Sequence, residues 1–265
     1  METITLNNGV EMPILGYGTY QIPPRITEQC VSDALSVGYR SIDTAQCYGN
    51  EREVGIACRK SGIARRELFI TTKLWACRGY QDTLRSIDGS LNKLGMDYID
   101  LLLIHEPTGD IHEIYRAMET AYKGGKLRAI GISNFLENRY MDLVDNCTII
   151  PAVNQVETHV FRQQKNLRNL EARIGTKHES WSPLACGQNG IFKNQTLISI
   201  AKNHGKTVAQ VALRFLLQQG IIVIPKSTHI ERMKENLGAL NFDLSAEEMQ
   251  KIEYLEIGKS LFGWW

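Results

Sequence analysis

The chain has 265 residues, 43% of them hydrophobic, with 30 Lys and Arg set against 29 Asp and Glu. That length supports a substantial core, either as two small domains or as one α/β barrel, and the balanced charge, with no basic stretch interleaved with aromatics, argues against nucleic acid or an anionic membrane as partner. Six scattered cysteines (Cys30, Cys47, Cys58, Cys77, Cys147 and Cys186) include no C-x-x-C pair, which fits free thiols in a reducing, cytoplasmic setting.

The N-terminus, METITLNNGVEMP, lacks the cationic-then-apolar order of a leader, and no apolar run approaches the ~20 residues of a membrane helix. With no Pro/Gly/Ser-rich linker, residues 1–265 read as a single domain, with no obligate protein partner evident. In ITLNNGVEM, Asn8-Gly9 stands between alternating residues and predicts a hairpin with a two-residue turn, forming a small lid. Eight apolar runs of strand length follow: ILGYG (14–18), YRSI (39–42), LFITT (68–72), IDLLLI (99–104), LRAIGI (127–132), PAVNQV (151–156), HESWS (178–182) and IIVIP (221–225). Helical periods lie between them, as in the stripe Ile111, Ile114, Tyr115, Met118 and Tyr122. Asp110 with Glu113 reads as a helix cap, Thr207-x-x-Gln210 and Ser245-x-x-Glu248 as capping boxes, and Leu244 with Met249 as a staple for the last.

Eight strand–helix repeats predict a (β/α)8 TIM barrel with an N-terminal β-hairpin; a doubly wound open sheet is the alternative. In such a barrel the active site forms at the C-terminal ends of the strands. Asp43 and Tyr48 follow the second run, Lys73 ends the third and His105 ends the fourth, so closure would bring them to one rim. Singly, each has an ordinary explanation: a loop cap, a half-buried phenol, a snorkelling lysine, a core histidine. Together they suit carbonyl chemistry, because a buried Lys73 needs an anion and Asp43 is within reach.

Two phosphate motifs fail. Gly16-Tyr17-Gly18-Thr19-Tyr20-Gln21 puts Gln21 where a dinucleotide fingerprint needs its third glycine. Gly205-Lys206-Thr207 resembles the end of a P-loop, but Ile200 replaces the first glycine. No two histidines share ligand spacing on one helix, so no metal is expected.

The segments GYGTYQ, SIDTAQCYGNE, TTKLW, DLLLIHEP, AIGISNF, VNQVE, SWSPLACG and IPKSTHIERMKEN resemble those of the aldo-keto reductases, in the same order and along nearly the full length. The nearest resemblance is to the short bacterial branch related to diketogluconate and glyoxal reductases. It implies a barrel that binds NADPH without a Rossmann fold and reduces aldehydes or ketones by direct hydride transfer. Tyr48 would be the general acid, Lys73 would lower its pKa, Asp43 would hold Lys73, and His105 would orient the carbonyl. The resemblance also implies that Ser133, Asn134 and Gln155 hold the nicotinamide carboxamide, that Trp181 stacks on the ring, that Gly18 and Thr19 lie near its ribose, that Asp43 also belongs to the cofactor site, and that Ser182 and Leu184 follow the pyrophosphate.

Lys226, Ser227 and Arg232 follow the eighth strand where Thr228-x-x-Glu231 reads as a helix start, and helix N-termini attract anions. Two cations there suit the ribose phosphate of NADPH/NADP+, with Glu235 and Asn236 implied as adenine contacts; a solvated charged helix face is the alternative. At the substrate pocket, Glu106 stands where the family frequently has tryptophan and Tyr20 where another is common, while Trp75 keeps the family aromatic. Glu106 is expected either to make the pocket polar and favour a charged His105 or to face solvent. A short segment after Pro107 leaves no large lid, favouring small or hydrophilic carbonyl substrates. Leu261-Phe262-Gly263-Trp264-Trp265 either borders the pocket or packs on the barrel surface. A cofactor-bound sensor without turnover and a phosphate-binding barrel isomerase or lyase are the competing functions.

Overall fold

The computed structural model describes residues 2–263; Trp264 and Trp265 of the tail lie outside them. Among the described residues the strands are β1 (Thr3–Thr5), β2 (Glu11–Pro13), β3 (Tyr17–Gly18), β4 (Ser41–Asp43), β5 (Phe69–Leu74), β6 (Ile99–Ile104), β7 (Leu127–Ser133), β8 (Val153–Glu157), β9 (Lys177–Trp181) and β10 (Ile222–Val223). The α-helices among them are α1 (Pro24–Val37), α2 (Glu51–Lys60), α3 (Tyr80–Leu94), α4 (Ile111–Lys123), α5 (Glu137–Asn146), α6 (Lys165–Ile174), α7 (Gln195–His204), α8 (Val208–Leu217), α9 (Ile230–Leu237) and α10 (Ala246–Glu253).

Strands β3 to β10 pair in sequence order, all parallel, and a parallel bridge between Leu15 and Val223 joins the two ends of the sheet. Val223 donates to Ile14 O at 2.9 Å, and Gly16 donates to Val223 O at 2.8 Å, across that seam. The expected TIM barrel is therefore present, and the open-sheet alternative falls. All eight expected runs carry strand, although the first and last shrink to two residues each. At the seam a side chain at Gly18 would put its Cβ 2.9 Å from Ile224 O, so only glycine lets the backbones approach.

Helix starts follow their caps. The Asp110 carboxylate accepts from the Glu113 N–H at 3.2 Å, and both capping boxes, Thr207–Gln210 and Ser245–Glu248, are complete. In α4, Ile111, Ile114, Tyr115 and Met118 are buried and Tyr122 sits at the edge of the stripe. The start of α9 differs: its N-cap is His229, without a side-chain cap, so Thr228 and Glu231 form no capping box. Ser227 turns the chain instead, its Oγ accepting from the His229 N–H at 3.0 Å.

The hairpin of β1 and β2 also differs in detail. Leu6 N donates to Val10 O and Gly9 N to Leu6 O, so the loop spans three residues, with Gly9 at φ 82°. A type I turn closed by a left-handed glycine accounts for this geometry. Asn7 reaches the carbonyls of Ile150 and Pro151 and Asn8 that of Arg128, where β7 and β8 begin. The hairpin therefore covers the end of the barrel away from the strand C-termini.

Candidate active site

Asp43 closes β4 and Lys73 lies near the end of β5, where parallel pairing brings both into the barrel mouth. Their side chains are 3% and 0% exposed, and Lys73 Nζ lies 2.5 Å from Asp43 Oδ1, 3.1 Å from Thr44 O and 3.3 Å from the Tyr48 hydroxyl. Burial alone would lower the ammonium's pKa, but the Asp43 charge and hydrogen bond and the neighbouring Tyr48 outweigh it, so Lys73 holds its proton more tightly than an ordinary lysine.

Tyr48 stands on a 3-10 turn, Gln46–Tyr48, closed by Gly49 at φ 70°. Buried Asn50 staples that turn, donating to the carbonyls of Thr19 and Ile22 and accepting from the Thr44 hydroxyl. Thr19 donates its hydroxyl to Asp43 O at 2.9 Å. The phenol's pKa is pushed up to about 12 by burial; Lys73 pulls it down, but less than burial, aided by Asp43, pushes up. The expectation that Lys73 would bring Tyr48 below a free tyrosine is corrected for this state: the ammonium acts in the expected direction and desolvation wins. Tyr48 is a protonated donor, held 3.3 Å from a cation.

His105, just past β6, packs edge-on against the rings of Tyr48 and Trp75, with centroids 5.6 and 5.2 Å away. Burial, and then the Lys73 charge, depress its pKa to about 3, so the imidazole is neutral. Cys47 Sγ lies 3.4 Å from its Nδ1. Tyr20 packs on Tyr48 at 5.0 Å, and both Tyr20 and Trp75 are exposed, so these rings form an aromatic mouth. The expectation of a charged His105 favoured by Glu106 fails, and so does that of a carboxylate facing solvent. Glu106 is half-buried, its Oε1 accepting from Asn134 Nδ2 at 3.0 Å.

Ser133 and Trp181 end β7 and β9, Gln155 lies in the middle of β8 opposite Ser133, and Asn134, at φ 65°, turns its side chain back over the rim. Their donors are committed: Ser133 Oγ to Gln155 O at 2.8 Å, and Gln155 Nε2 to both Asp43 Oδ2 and Glu179 Oε2 at 3.0 Å. Trp181 Nε1 donates to Asn134 Oδ1 at 2.8 Å. Glu179 was not among the expected site residues. It is fully buried two places before Trp181, on the same face of β9, and desolvation together with the Asp43 charge holds its carboxyl well above the usual range. The sequence signal was a lone acid within a short strand. Asn50, likewise missed, had no signal beyond its place after Tyr48 and Gly49.

Gly18 and Thr19 sit beside Asp43 in the β3–β4 register. After β9 the chain takes left-handed conformations at Ser182, Ala185 and Cys186, with Ser182 Oγ 3.1 Å from Cys186 Sγ and Leu184 half-buried beside the core. Lys226 and Arg232 are exposed at the β10–α9 turn, and each lacks an ion pair among the described residues. Ser227 is buried, its carbonyl accepting from the Tyr17 hydroxyl. Glu235 is occupied by the Thr207 hydroxyl at 2.6 Å, and Asn236 points inward, buried beside Tyr39. At the tail, Leu261 N donates to Glu157 Oε1 at 2.9 Å, and Phe262 packs on Trp181 at 5.2 Å, which puts these two residues on the rim by the site. Among the described residues no group of three or more His, Cys, Asp or Glu could hold a metal ion, and no helix is long and apolar enough to cross a membrane.

The chain is 46% identical over 257 residues to the glyoxal reductase of Bacillus subtilis (strain 168), covering 96% of this chain and 92% of that one. Its fold superposes at TM-score 0.96 and 44% identity on MGS-M4, an aldo-keto reductase from a Medee basin deep-sea metagenome library, covering 98% of this chain and 97% of that one. With a Bombyx mori aldo-keto reductase solved in complex with NADP the TM-score is 0.92 at 33% identity, covering 98% and 94%. Residues 14–257 match the Aldo/keto reductase family, and the chain belongs to that family.

Proposed function

We propose that the protein reduces small, hydrophilic aldehydes or ketones to alcohols with NADPH, and that Tyr48 is the proton donor. The observation that carries this reading is the buried line from Asp43 through Lys73 to the Tyr48 hydroxyl, beside a neutral His105. Tyr48 holds a proton at a hydroxyl in contact with a fixed positive charge, so the phenolate left after transfer is stabilised more than the phenol. Neutral His105 offers one ring N–H to a carbonyl oxygen and so orients it without competing as an acid. Asp43 keeps Lys73 charged, and Gln155, whose amide also donates to Glu179, keeps Asp43 in place.

When bound, the nicotinamide supplies the hydride. Trp181 fits it as a stacking surface, and the acceptors left on Ser133, Asn134 and Gln155 suit a carboxamide NH2. Lys226 before α9 and Arg232 in its first turn, without an ion pair among the described residues, suit the extra phosphate of NADPH over NADH. The NADP-bound Bombyx mori relative and the Bacillus subtilis glyoxal reductase support the cofactor and the substrate class. The intact Asp43, Tyr48, Lys73 and His105 set disfavours a sensor without turnover.

The test is NADPH oxidation with methylglyoxal, aldoses, diketo acids and aromatic aldehydes, run beside Tyr48→Phe. Turnover with small dicarbonyls that Tyr48→Phe loses is the expected result. No consumption with any substrate would favour the sensor, and a Tyr48→Phe enzyme as fast as wild type would overturn the acid assignment.

A further inference from the structure

Glu106 occupies a place in which a carboxylate is costly. It is half-buried beside a cavity of about 110 Å3 lined largely by apolar side chains, among them Leu74, Trp75, Ile104 and Ile114. Among the described residues its buried Oε2 has no hydrogen-bond partner, and its Oε1 takes the Asn134 amide at 3.0 Å. A leucine would satisfy packing there at less expense, so the carboxylate's single contact is the feature to explain.

Asn134 has two N–H hydrogens and one carbonyl oxygen to place. Nδ2 faces Glu106 Oε1 at 3.0 Å and His105 O at 3.3 Å, both acceptors, while Oδ1 faces the indole N–H of Trp181 at 2.8 Å. Rotating the amide by 180° would set its oxygen against a carboxylate and a carbonyl, and its NH2 against an N–H. All three contacts would fail, so the chemistry of the neighbours selects one orientation.

We infer that Glu106 is a positioning residue of the cofactor site: it locks the amide of Asn134, through that amide steadies the Trp181 ring, and leaves Asn134 only an acceptor to offer a nicotinamide carboxamide. This rests on the proposed use of Trp181 and Asn134 by the nicotinamide. Asn134 then receives the carboxamide through its NH2, and a cofactor lacking that NH2 is discriminated against at this residue. Burial lifts the Glu106 carboxyl to about 7, consistent with an acid retained at a cost and opposed by its Asn134 bond.

The experiment uses the full chain with Glu106→Leu, which fills the apolar surroundings, and Glu106→Gln, whose side-chain carbonyl still accepts from Asn134. Binding is titrated with NADP+ and with its 3-acetylpyridine analogue, in which a methyl replaces the carboxamide NH2. Wild type and Glu106→Gln should prefer NADP+ by the same factor, and in Glu106→Leu that preference should fall by about fivefold, the worth of one weakened hydrogen bond. In the cofactor-free protein the Trp181 indole N–H resonance, assigned with Trp181→Phe, should move in Glu106→Leu and return in Glu106→Gln. With Asn134→Ala already present, Glu106→Leu should change neither quantity further. An unchanged resonance and preference in Glu106→Leu, or a Glu106→Gln protein that behaves like Glu106→Leu, overturns the proposal. If wild type binds neither nucleotide, the cofactor reading fails, and the indole resonance alone decides whether Glu106 acts through Asn134 on Trp181.

Discussion

Two regions at the same end of the barrel hold positive charge in opposite ways. Lys73 is sealed from water and paired at 2.5 Å with Asp43, whereas Lys226 and Arg232 stand exposed beyond β10, without an ion pair among the described residues. A buried ammonium needs a permanent counter-ion, and its reward is a field that acts at full strength on a neighbour such as Tyr48. An exposed cation needs no partner for folding, so its charge stays available to a ligand, at the cost of screening by salt. The first region joins chemistry to stability and the second separates affinity from stability.

The largest expected effect tests the first half of that contrast. Asp43→Asn leaves Lys73 buried without its anion and should cost about 3–5 kcal/mol of unfolding free energy, read by urea denaturation. Tyr48→Phe removes no charge and should keep the melting temperature within a few degrees while lowering turnover by about 10²–10⁴-fold. If Asp43→Asn is as stable as wild type, the buried pair is not what holds the site.

Arg232→Ala addresses the other half. It should weaken NADPH binding by about tenfold at low salt, leave NADH binding unchanged, and keep stability within about 0.5 kcal/mol. The tenfold gap should narrow as salt rises toward about 1 M, because the site is exposed. Equal loss for NADPH and NADH would remove the phosphate from this region.

Glu106 lies between the extremes, half-buried and without a counter-ion among the described residues. Its pKa in the fold, about 7, stands above the ordinary 4.5, so the folded state binds the proton more tightly than the unfolded one. The wild type should therefore lose stability relative to Glu106→Gln as pH rises from 4.5 through 7, with no further divergence above about 8. Thermal melts across that range should show a gap of roughly 2–4 °C opening with pH. A gap that opens toward acid would reverse the assignment.

The smallest expected effect is none. With its pKa near 3, His105 should show no titration of its ring resonances between about pH 7.5 and 5, where an ordinary histidine changes charge. A midpoint near 6.5 would mean that the site is wetter and less shielded than the packing of Tyr48 and Trp75 implies.

The barrel was legible because its signals are local. Apolar runs of strand length, capped helices and turn residues each state their conformation within about ten residues, and even HESWS, the weakest run, forms β9. Where a local rule had a near neighbour it slipped, as at the three-residue hairpin loop and the His229 cap. Asp43, Tyr48, Lys73 and His105 were legible as a group because each stands at or soon after a strand end. Glu179 was not, since an acid in a short strand looks the same in sequence whether it faces water or the middle of a barrel.

Residue order by itself determined the repeat of strand and helix, the chemical types brought to one rim, and the family resemblance that those segments carry. Only the tertiary structure decided the protonation balance among them. Desolvation depends on which atoms close over a group, and those come from strands far apart in the chain: Gln155 reaches Asp43 across 112 residues of sequence and Glu179 across 24, and Asn134 reaches Glu106 across 28. That closure makes Tyr48 a harder phenol to ionise than its neighbour Lys73 alone would suggest, leaves His105 neutral, and turns Glu106 from an odd residue beside a histidine into a partner of Asn134.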